Sequence, residues 1–225
     1  MGSHAAYSAS TPIAHPVRVY VKPSLTGRNR LTTFFRPLLA IPHLILVGGP
    51  IGAAATWSRS SEPGLRYEWG SGGGVLGIGA FVITVITWFS IVFTGHAPGD
   101  VSSLVAYYLR WRVRAMAYIA LLRDEYPPFG DGPYHVLMDI PPVAEKRDRV
   151  SVAFRLVLAI PHIIAVAALS VAWGITTVIA WFAILLTGSY PRELYHFGVG
   201  VLRWNARVEA YLLLLNDEYP PFSFV

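Results

Sequence analysis

The 225-residue chain contains no cysteine and has few charged residues, and both shortages limit what kind of protein it is. A chain without cysteine forms no disulfide, offers no thiolate metal ligand and has no thiol nucleophile. Charged residues make up 14% of the sequence, whereas about 25% is usual in soluble proteins. The serines and histidines also follow no catalytic or metal-binding spacing such as H-E-x-x-H. We therefore predict no catalytic residue, no metal site and no cofactor, and expect that the protein is not an enzyme.

Three long segments lack Asp, Glu, Lys and Arg altogether, namely Pro37–Ser58, Trp69–Gly99 and Leu156–Pro191. A helix needs about 20 predominantly apolar residues to cross a bilayer. The sequence therefore predicts an all-α integral membrane protein of the inner (plasma) membrane, with only short β-strands. The net charge of +5 suits anionic lipid headgroups, and the basic residues are dispersed around apolar segments. We expect membrane lipids as partners and no nucleic acid.

The sequence repeats itself in tandem. The pentapeptide LAIPH ends at His43 and again at His162, an offset of 119 positions (162 − 43). Further along the chain the offset becomes 93 (181 − 88). At this offset WFSIVFTG at 88–95 matches WFAILLTG at 181–188. In the same way LRWRVRAMAYIALLRDEYPPF at 109–129 matches LRWNARVEAYLLLLNDEYPPF at 202–222. The difference of 26 predicts an insertion of that length in the first copy, between His43 and Trp88.

These matches divide the chain into three parts. Residues 1–14 are predicted to be a disordered, tag-like N-terminus. The first repeat comprises residues 15–129, with the 26-residue insertion in the loop of its helical hairpin, and the second repeat comprises residues 134–222. The two repeats are expected to form one compact membrane domain.

Each copy is predicted to contain a strand, a transmembrane hairpin of helices A and B, and an amphipathic helix C that ends at DEYPPF. Apolar and polar residues alternate at 17–21 and again at 136–140, which is the period of a half-buried strand, so the two strands are expected to pair. In the second copy the hairpin requires a tight turn near Ser170–Gly174. Helix C combines arginine with Trp and Tyr, a composition typical of a helix that lies at the membrane interface.

Two spans in each copy give four spans and two cytoplasmic termini, an arrangement that the basic residues flanking helix A favour. Two alternatives remain open. Helix C is a third span in the first alternative, which gives six spans and turns its arginines inward. In the second alternative, a broken single span follows an interfacial helix A.

Several side chains are candidates for a site. His43 and His162 follow a helix-breaking proline, so they are candidates for cofactor binding or for hydrogen bonding to the interrupted backbone. The candidates for contact with lipid headgroups are arginines of helices A and C: Arg36, Arg155, Arg110, Arg114, Arg203 and Arg207. Four acids lie at the C-terminal end of helix C, where the helix dipole disfavours an anion: Asp124, Glu125, Asp217 and Glu218. We expect these acids to pair with arginines of helix A, which are Arg30, Arg36, Arg149 and Arg155.

Taken together, FR-x-x-LAIPH, W-F-[SA]-I-[VL]-[FL]-TG, the R-W-x-x-R helix and DEYPPF resemble the bacterial membrane family catalogued as domain of unknown function 4389. The resemblance covers about Val17–Phe222 in two copies. It implies an integral membrane protein and supplies no established activity. The first copy departs from the second by its insertion, by Pro37 in place of Leu156, and by His96–Pro98 in place of Ser189–Pro191.

The leading functional hypothesis is a non-catalytic accessory, scaffold or bilayer-organising protein, as a homo-oligomer or within a larger membrane complex. The main alternative is a transporter or channel for a small solute or lipid, with its site at the repeat interface. A further alternative is a haem protein with His43 and His162 as axial ligands. An enzyme that acts on lipids is the remaining class, although no nucleophile is evident.

Overall fold

The computed structural model describes residues 15–49, 53–58, 64–69, 74–99, 101–142 and 146–224, so the predicted N-terminal tail at 1–14 lies outside the described residues. Seven helices and four strands occur in these ranges. In chain order they are β1 Arg18–Val21, α1 Arg30–Leu39, α2 Ile41–Val47, β2 Ala53–Ser58, β3 Gly64–Trp69, α3 Gly74–Thr94, α4 Val101–Ile119, β4 Val136–Asp139, α5 Arg149–Ala153, α6 Arg155–Thr187 and α7 Arg192–Leu212.

The predicted strands β1 and β4 pair as an antiparallel ribbon that joins the two copies. Val19 lies opposite Met138, which is its own counterpart at the offset of 119, so the pairing is symmetric about this position. Both side chains are buried, whereas Arg18 and Asp139 on the other face are exposed. An isolated two-stranded ribbon is only marginally stable in water. The buried face supplies the missing stabilisation, because it packs on α4 and α7.

The hairpin predicted for the second copy is wrong, because α6 is one continuous helix of 33 residues. The expected turn at Ser170–Gly174 lies in its middle, and Gly174 does not adopt a positive φ. One glycine costs a helix only about 1 kcal/mol relative to alanine, too little to break a long apolar helix. Pro161 also lies within α6, near its N-terminal end.

In the first copy, the insertion divides the equivalent helix. The α2 helix ends at Val47 and α3 begins at Gly74, and the 26 residues between them include the antiparallel hairpin of β2 and β3. The chain then returns to the point where it left, because a Cβ atom on Gly74 would lie 2.5 Å from the carbonyl carbon of Leu46. Only glycine fits this close approach, and its φ of +66° also favours glycine.

Two helices, α3 and α6, are long and apolar enough to cross a membrane. The pair α1 and α2, bent by 41° at Ala40, passes the same test when its two helices are counted together. The described residues therefore offer two or three spans rather than the four expected. Large apolar side chains point outward along both long helices, including Phe81 and Phe93 on α3 and Ile164 and Leu186 on α6.

Helix C of each copy, α4 and α7, forms the middle layer of the molecule. All residues from Trp111 to Tyr118 of α4 are buried, and α7 is enclosed to a similar extent from Val199 to Val208, except for Arg203. The two helices pack on each other, with the ribbon on one side and α2, α3 and α6 also in contact with them. Helix C is therefore enclosed by protein along much of its length in both copies, and its expected position at the membrane interface stays a prediction.

The two copies meet through reciprocal contacts at the ends of their long helices. The indole N–H of Trp88 donates to the carbonyl of Val152 at 2.9 Å, and that of Trp181 donates to the carbonyl of Thr33 at 2.8 Å. The amide of Arg147 donates to the Gly95 carbonyl, and the amide of Arg28 donates to the Gly188 carbonyl, each at 3.0 Å. The start of each copy's helix A is thus fastened to the end of the other copy's long helix.

Candidate functional site

The repeated motifs converge on two equivalent clusters, which we call the clasps. In the first clasp Arg36 of α1 reaches from LAIPH toward DEYPPF, and its side chain is 2% exposed. Its Nη1 donates to the carbonyl of Tyr118 at 3.1 Å and also to that of Arg123, while Nη2 lies 2.9 Å from the Asp124 carboxylate. The guanidinium also lies over the Tyr118 ring, 4.3 Å from its centroid. The Arg36 side chain is therefore engaged inside the protein and does not reach the surface.

The second clasp has the same construction. Arg155 donates to the carbonyl of Tyr211 at 3.0 Å and to that of Asn216 at 3.1 Å. Its Nη2 pairs with the Asp217 carboxylate, and its guanidinium lies 4.4 Å from the centroid of the Tyr211 ring. The carbonyls that end helix C are thereby satisfied by a buried cation, which also compensates the C-terminal helix dipole.

A second arginine joins each clasp, and sequence reasoning missed it. Arg28 lies 2.9 Å from the Asp124 carboxylate with a fully buried side chain, and Arg147 pairs with Asp217 in the same way. In the sequence they belong to the basic residues that flank helix A, which predict a cytoplasmic position. The sequence signal that could have identified them is their equivalence at the offset of 119, combined with the aspartate that both copies have at the end of helix C, Asp124 and Asp217.

Each second arginine also holds a backbone carbonyl in an unusual place. Arg28 donates to the carbonyl of Leu121 and Arg147 to that of Leu214. The two leucines are the only non-glycine residues with positive φ in the described part of the chain, at 63° and 61°. Left-handed backbone is costly for a side chain with a Cβ atom. The buried guanidinium groups stabilise this turn at the same position in both copies.

The histidine of each LAIPH segment lies beside its clasp. The indole N–H of Trp111 donates to Nδ1 of His43 at 3.1 Å, and that of Trp204 donates to Nδ1 of His162 at 3.2 Å. Tryptophan can only donate, so Nδ1 is the unprotonated nitrogen and the ring proton lies on Nε2. The expected bonding to interrupted backbone therefore does not use Nδ1.

The aromatic residues of DEYPPF cover the faces of the same rings. Phe129 stacks on His43 with its centroid 4.9 Å away, and Phe222 stacks on His162 at 3.9 Å. Tyr126 and Tyr219 also contact these rings. The two histidine clusters share no residue. Each histidine ring is thus packed against the aromatic residues of its own copy.

The four arginines of helix C that were predicted to meet headgroups divide into two buried and two partly exposed residues. Arg114 is buried and donates to the Gly130 carbonyl at 2.7 Å, and Arg207 is buried and donates to the Ser223 carbonyl. Both hold the chain that follows DEYPPF. Arg110 pairs with Asp131 at 3.2 Å. Arg203 donates to the Val19 carbonyl at 3.1 Å and lines a surface cavity of about 330 Å³ beside the ribbon.

The two glutamates do not meet helix A. Glu125 accepts from Arg123, with Nε 2.9 Å from Oε2, and lies 3.7 Å from the ring of His135. Burial is the largest single effect and raises the pKa of the Glu125 carboxyl, but the hydrogen bonds from Arg123 and from the backbone, together with the charges of Arg123 and His135, outweigh it and the pKa is lowered. Glu218 is exposed, and its carbonyl accepts from Asn216. Two of the helix A arginines, Arg30 and Arg149, do not pair with these acids. Arg149 donates to the Thr94 carbonyl, and Arg30 lies near Gly188.

One ion pair, between buried Arg112 and partly exposed Glu209, has no equivalent in the other half of the molecule. Nε of Arg112 on α4 lies 3.0 Å from both carboxylate oxygens of Glu209 on α7. Their counterparts at the offset of 93 are Asn205 and Met116. Nη1 of Arg112 also donates to the carbonyl of Val47, where the insertion interrupts the helix of the first copy. Arg112 thus bonds the carbonyl that the insertion leaves without a helical partner. In the second copy α6 is continuous, so the equivalent carbonyl is bonded within the helix.

The chain was compared with protein families, with curated proteins and with solved structures. It matches the family described as a domain of unknown function, DUF4389, over residues 73–130 and again over residues 149–223, together more than half of its length. The chain belongs to the DUF4389 family. Two separate matches to one family agree with two tandem copies. No curated protein and no solved structure matches the chain.

The positions of the DUF4389 matches follow from the fold. The second match contains α5, the whole of α6, α7 and the second clasp except Arg147. The first match begins at residue 73, immediately before α3, so β1, α1 and α2 lie outside it. The insertion separates these elements from the rest of the first copy, which is why Arg28, Arg36 and His43 fall outside the matched segment.

The clasps engage the arginine, aspartate, histidine and tryptophan side chains of the DUF4389 motifs. Guanidinium groups face carbonyls and carboxylates, and each imidazole accepts from an indole and lies against aromatic rings. Among the described residues, no group of three or more His, Asp or Glu side chains is placed to hold a metal ion. The arrangement can fix helix A to the end of helix C in each copy.

Proposed function

We propose that this protein is a non-catalytic scaffold or bilayer-organising module of the plasma membrane, with both termini on the cytoplasmic side. Its apolar helices α3 and α6 lie in lipid, and its partners are lipids with anionic headgroups and further protein subunits, either copies of itself or members of a larger complex. The composition supports membrane residence, and the structure of the repeated motifs supports a structural role.

The observation that carries the proposal is that the motif side chains bind one another. Arg36, Asp124, His43 and Trp111 are the residues that an active site would use, and each is engaged by another motif residue of the same copy. A site for substrate would leave such groups directed into a pocket. Here the groups are directed into helix ends and aromatic rings, and both copies do the same.

The proposal is tested by reconstituting the purified protein in vesicles that contain 20% anionic phospholipid, with protein-free vesicles as control. We expect the protein to stay with the membrane after an alkaline carbonate wash and to change the vesicle diameter measured by electron microscopy. The vesicles are expected to retain a trapped solute, and lipid mass spectra are expected to stay unchanged. Protein-dependent solute flux or a new lipid species contradicts a non-catalytic scaffold.

One observation favours the transporter as a second candidate. The Arg112–Glu209 pair lies between α4 and α7, at the interface of the two copies, where transporters with internal repeats bind their substrates. The test is flux of an anionic solute across the vesicle membrane. This candidate is supported if Glu209→Gln changes the flux and Arg192→Gln does not. Arg192 is an exposed residue at the start of α7, so its substitution changes charge without removing a described contact.

A further inference from the structure

The C-terminal ends of the two apolar helices lie at opposite ends of the molecule. The end of α3 is fastened to the start of α5, through Arg149 and the Thr94 carbonyl at 2.9 Å. From there α6 runs for 33 residues, about 50 Å at 1.5 Å per residue, and its own end contacts Arg28 before α1. A bilayer that α3 and α6 cross therefore separates the loop after α3 from the loop after α6.

The polar ribbon lies halfway between these two ends. Val19 is at its centre, and its carbonyl accepts from Arg203, in the middle of α7. One end of α7 lies beside the end of α6, and its other end lies in the second clasp, at the start of α6. The outer face of the ribbon exposes Arg18, Lys22 and Asp139.

The insertion also departs from the middle of the molecule. Arg112, near the centre of α4, donates to the Val47 carbonyl at the point where α2 ends. In the second copy the corresponding position is residue 166, close to the midpoint of the segment from α5 to α6. The sequence of the insertion carries four charges, at Arg59, Glu62, Arg66 and Glu68.

An upright orientation of α3 and α6 is therefore physically unfavourable. It brings both the ribbon and the insertion to the mid-depth of the bilayer, where charged side chains are expensive. The ribbon has only two strands, so both of its edges carry backbone groups that lipid cannot satisfy. A helix of about 50 Å also exceeds the apolar thickness of a bilayer, which is about 30 Å.

We propose that the molecule lies within one leaflet, with α3 and α6 roughly parallel to the membrane plane. The proposal rests on the proposed membrane function and specifies its geometry. The local symmetry axis through Val19 and Met138 then points along the membrane normal. The ribbon faces water, α4 and α7 form the middle layer, and the outward apolar faces of α3 and α6 displace lipid from one monolayer.

The partner is the cytoplasmic leaflet, because that leaflet carries anionic lipids and the protein has a net charge of +5. The surface that enters the leaflet is defined by large, exposed apolar side chains of the two long helices. Examples are Phe81, Phe89, Val171, Ile179 and Leu186. Both termini lie on the cytoplasmic side in this orientation, as the proposed function requires, and no segment crosses the membrane.

Cysteine accessibility tests this geometry cleanly, because the chain has no native cysteine. Four single variants of the full chain are compared: Ser102→Cys at the start of α4, shortly after the end of α3; Arg192→Cys at the start of α7, shortly after the end of α6; Tyr20→Cys on the ribbon; and Ile179→Cys on the apolar face of α6. All four native side chains are exposed in the structure. Each variant is treated with a membrane-impermeant maleimide in intact cells and in inverted membrane vesicles, and with a membrane-permeant maleimide as control.

The first three variants are expected to react with the impermeant reagent about tenfold more in inverted vesicles than in intact cells. Ile179→Cys is expected to react only with the permeant reagent. Reaction of Ser102→Cys and Arg192→Cys from opposite sides overturns the proposal in favour of spanning helices. Reaction of all three from the outside overturns the cytoplasmic leaflet. Reaction of Ile179→Cys with the impermeant reagent, together with release by carbonate, overturns the membrane function itself.

Discussion

Val19 lies opposite Met138 in the β1–β4 ribbon, and the two residues occupy equivalent positions in the two copies. The reciprocal bonds from Trp88 to the Val152 carbonyl and from Trp181 to the Thr33 carbonyl extend the same relationship to the ends of the long helices. We therefore expect the two copies to fold as one unit, because each completes the strand pairing and the helix ends of the other.

This relationship predicts that neither half folds alone. A chain divided between residues 142 and 146 gives two fragments that each lack the partner strand and the partner helix end. We expect each fragment expressed by itself to be degraded or aggregated, whereas co-expression yields a 1:1 complex that elutes with the intact protein. A single fragment that is monodisperse and melts cooperatively contradicts this interdependence.

The insertion is predicted to be separable from the rest of the fold. Deletion of residues 48–73 joins Val47 directly to Gly74 and restores the continuous helix of the second copy. Combined with Arg112→Asn and Glu209→Met, each of which introduces the residue at the equivalent position of the other copy, the deletion is expected to keep the melting temperature within about 5 °C of wild type. The deletion without these substitutions is expected to melt lower, because buried Arg112 loses the carbonyl of the interrupted helix.

A failure of both deletion variants to give folded protein contradicts that prediction. It shows instead that the inserted segment contributes stability that α6 obtains elsewhere. Thermal melting followed by tryptophan fluorescence in detergent makes the comparison, with circular dichroism as the check on helix content.

The histidine clusters predict a defined ring tautomer. Because the Trp111 and Trp204 indoles donate to Nδ1, His43 and His162 are expected to carry their proton on Nε2, which nitrogen NMR shifts of the imidazole rings report. Trp204→Phe removes one donor from a buried acceptor and is expected to cost about 1–3 kcal/mol of unfolding free energy. A proton on Nδ1 in wild type contradicts this description of the clusters.

Burial of His15 predicts a loss of stability in mild acid. Burial lowers the pKa of His15, so the unfolded chain binds a proton that the folded protein does not once the pH falls below about 6.5. The free energy of unfolding therefore decreases from pH 7 toward pH 5. His15→Gln is expected to flatten this decrease and to retain a hydrogen-bonding side chain toward Asn216. Exposed His196→Gln is the control, and equal pH slopes for both variants contradict the assignment.

Sequence reasoning found the repeats, the paired strands and the family, because each of these depends on a pattern that occurs twice. It placed a turn at Ser170–Gly174 because a 36-residue apolar run is longer than one span requires. The helix is nevertheless continuous there, since the one glycine within Ser170–Gly174 does not penalise a helix strongly enough to break it. Helix length along the sequence does not reveal whether a helix stands upright or lies in the membrane.

The internal positions of Arg28 and Arg147 were harder to predict. Basic residues beside an apolar helix are typical of membrane topology signals, and only the three-dimensional contact with Asp124 or Asp217 shows another use. The repeat could not reveal the Arg112–Glu209 pair, because the equivalent positions in the other copy hold Asn205 and Met116. It depends on the insertion, whose structural consequence appears only when α2 and α3 are seen to meet.

The central claim is that the repeated motifs form structural clasps, and a double-mutant cycle on Arg155 and Asp217 tests it most directly. We expect Arg155→Gln to lower the unfolding free energy by about 3 kcal/mol, because it leaves the carboxylate and two helix-end carbonyls without their buried cation. The double variant with Asp217→Asn is expected to lose about 1–3 kcal/mol less than the two single losses together. Arg192→Gln, which is exposed, is the matched control and is expected to change little. Single losses that simply add, or an Arg155→Gln protein as stable as wild type, contradict the clasp.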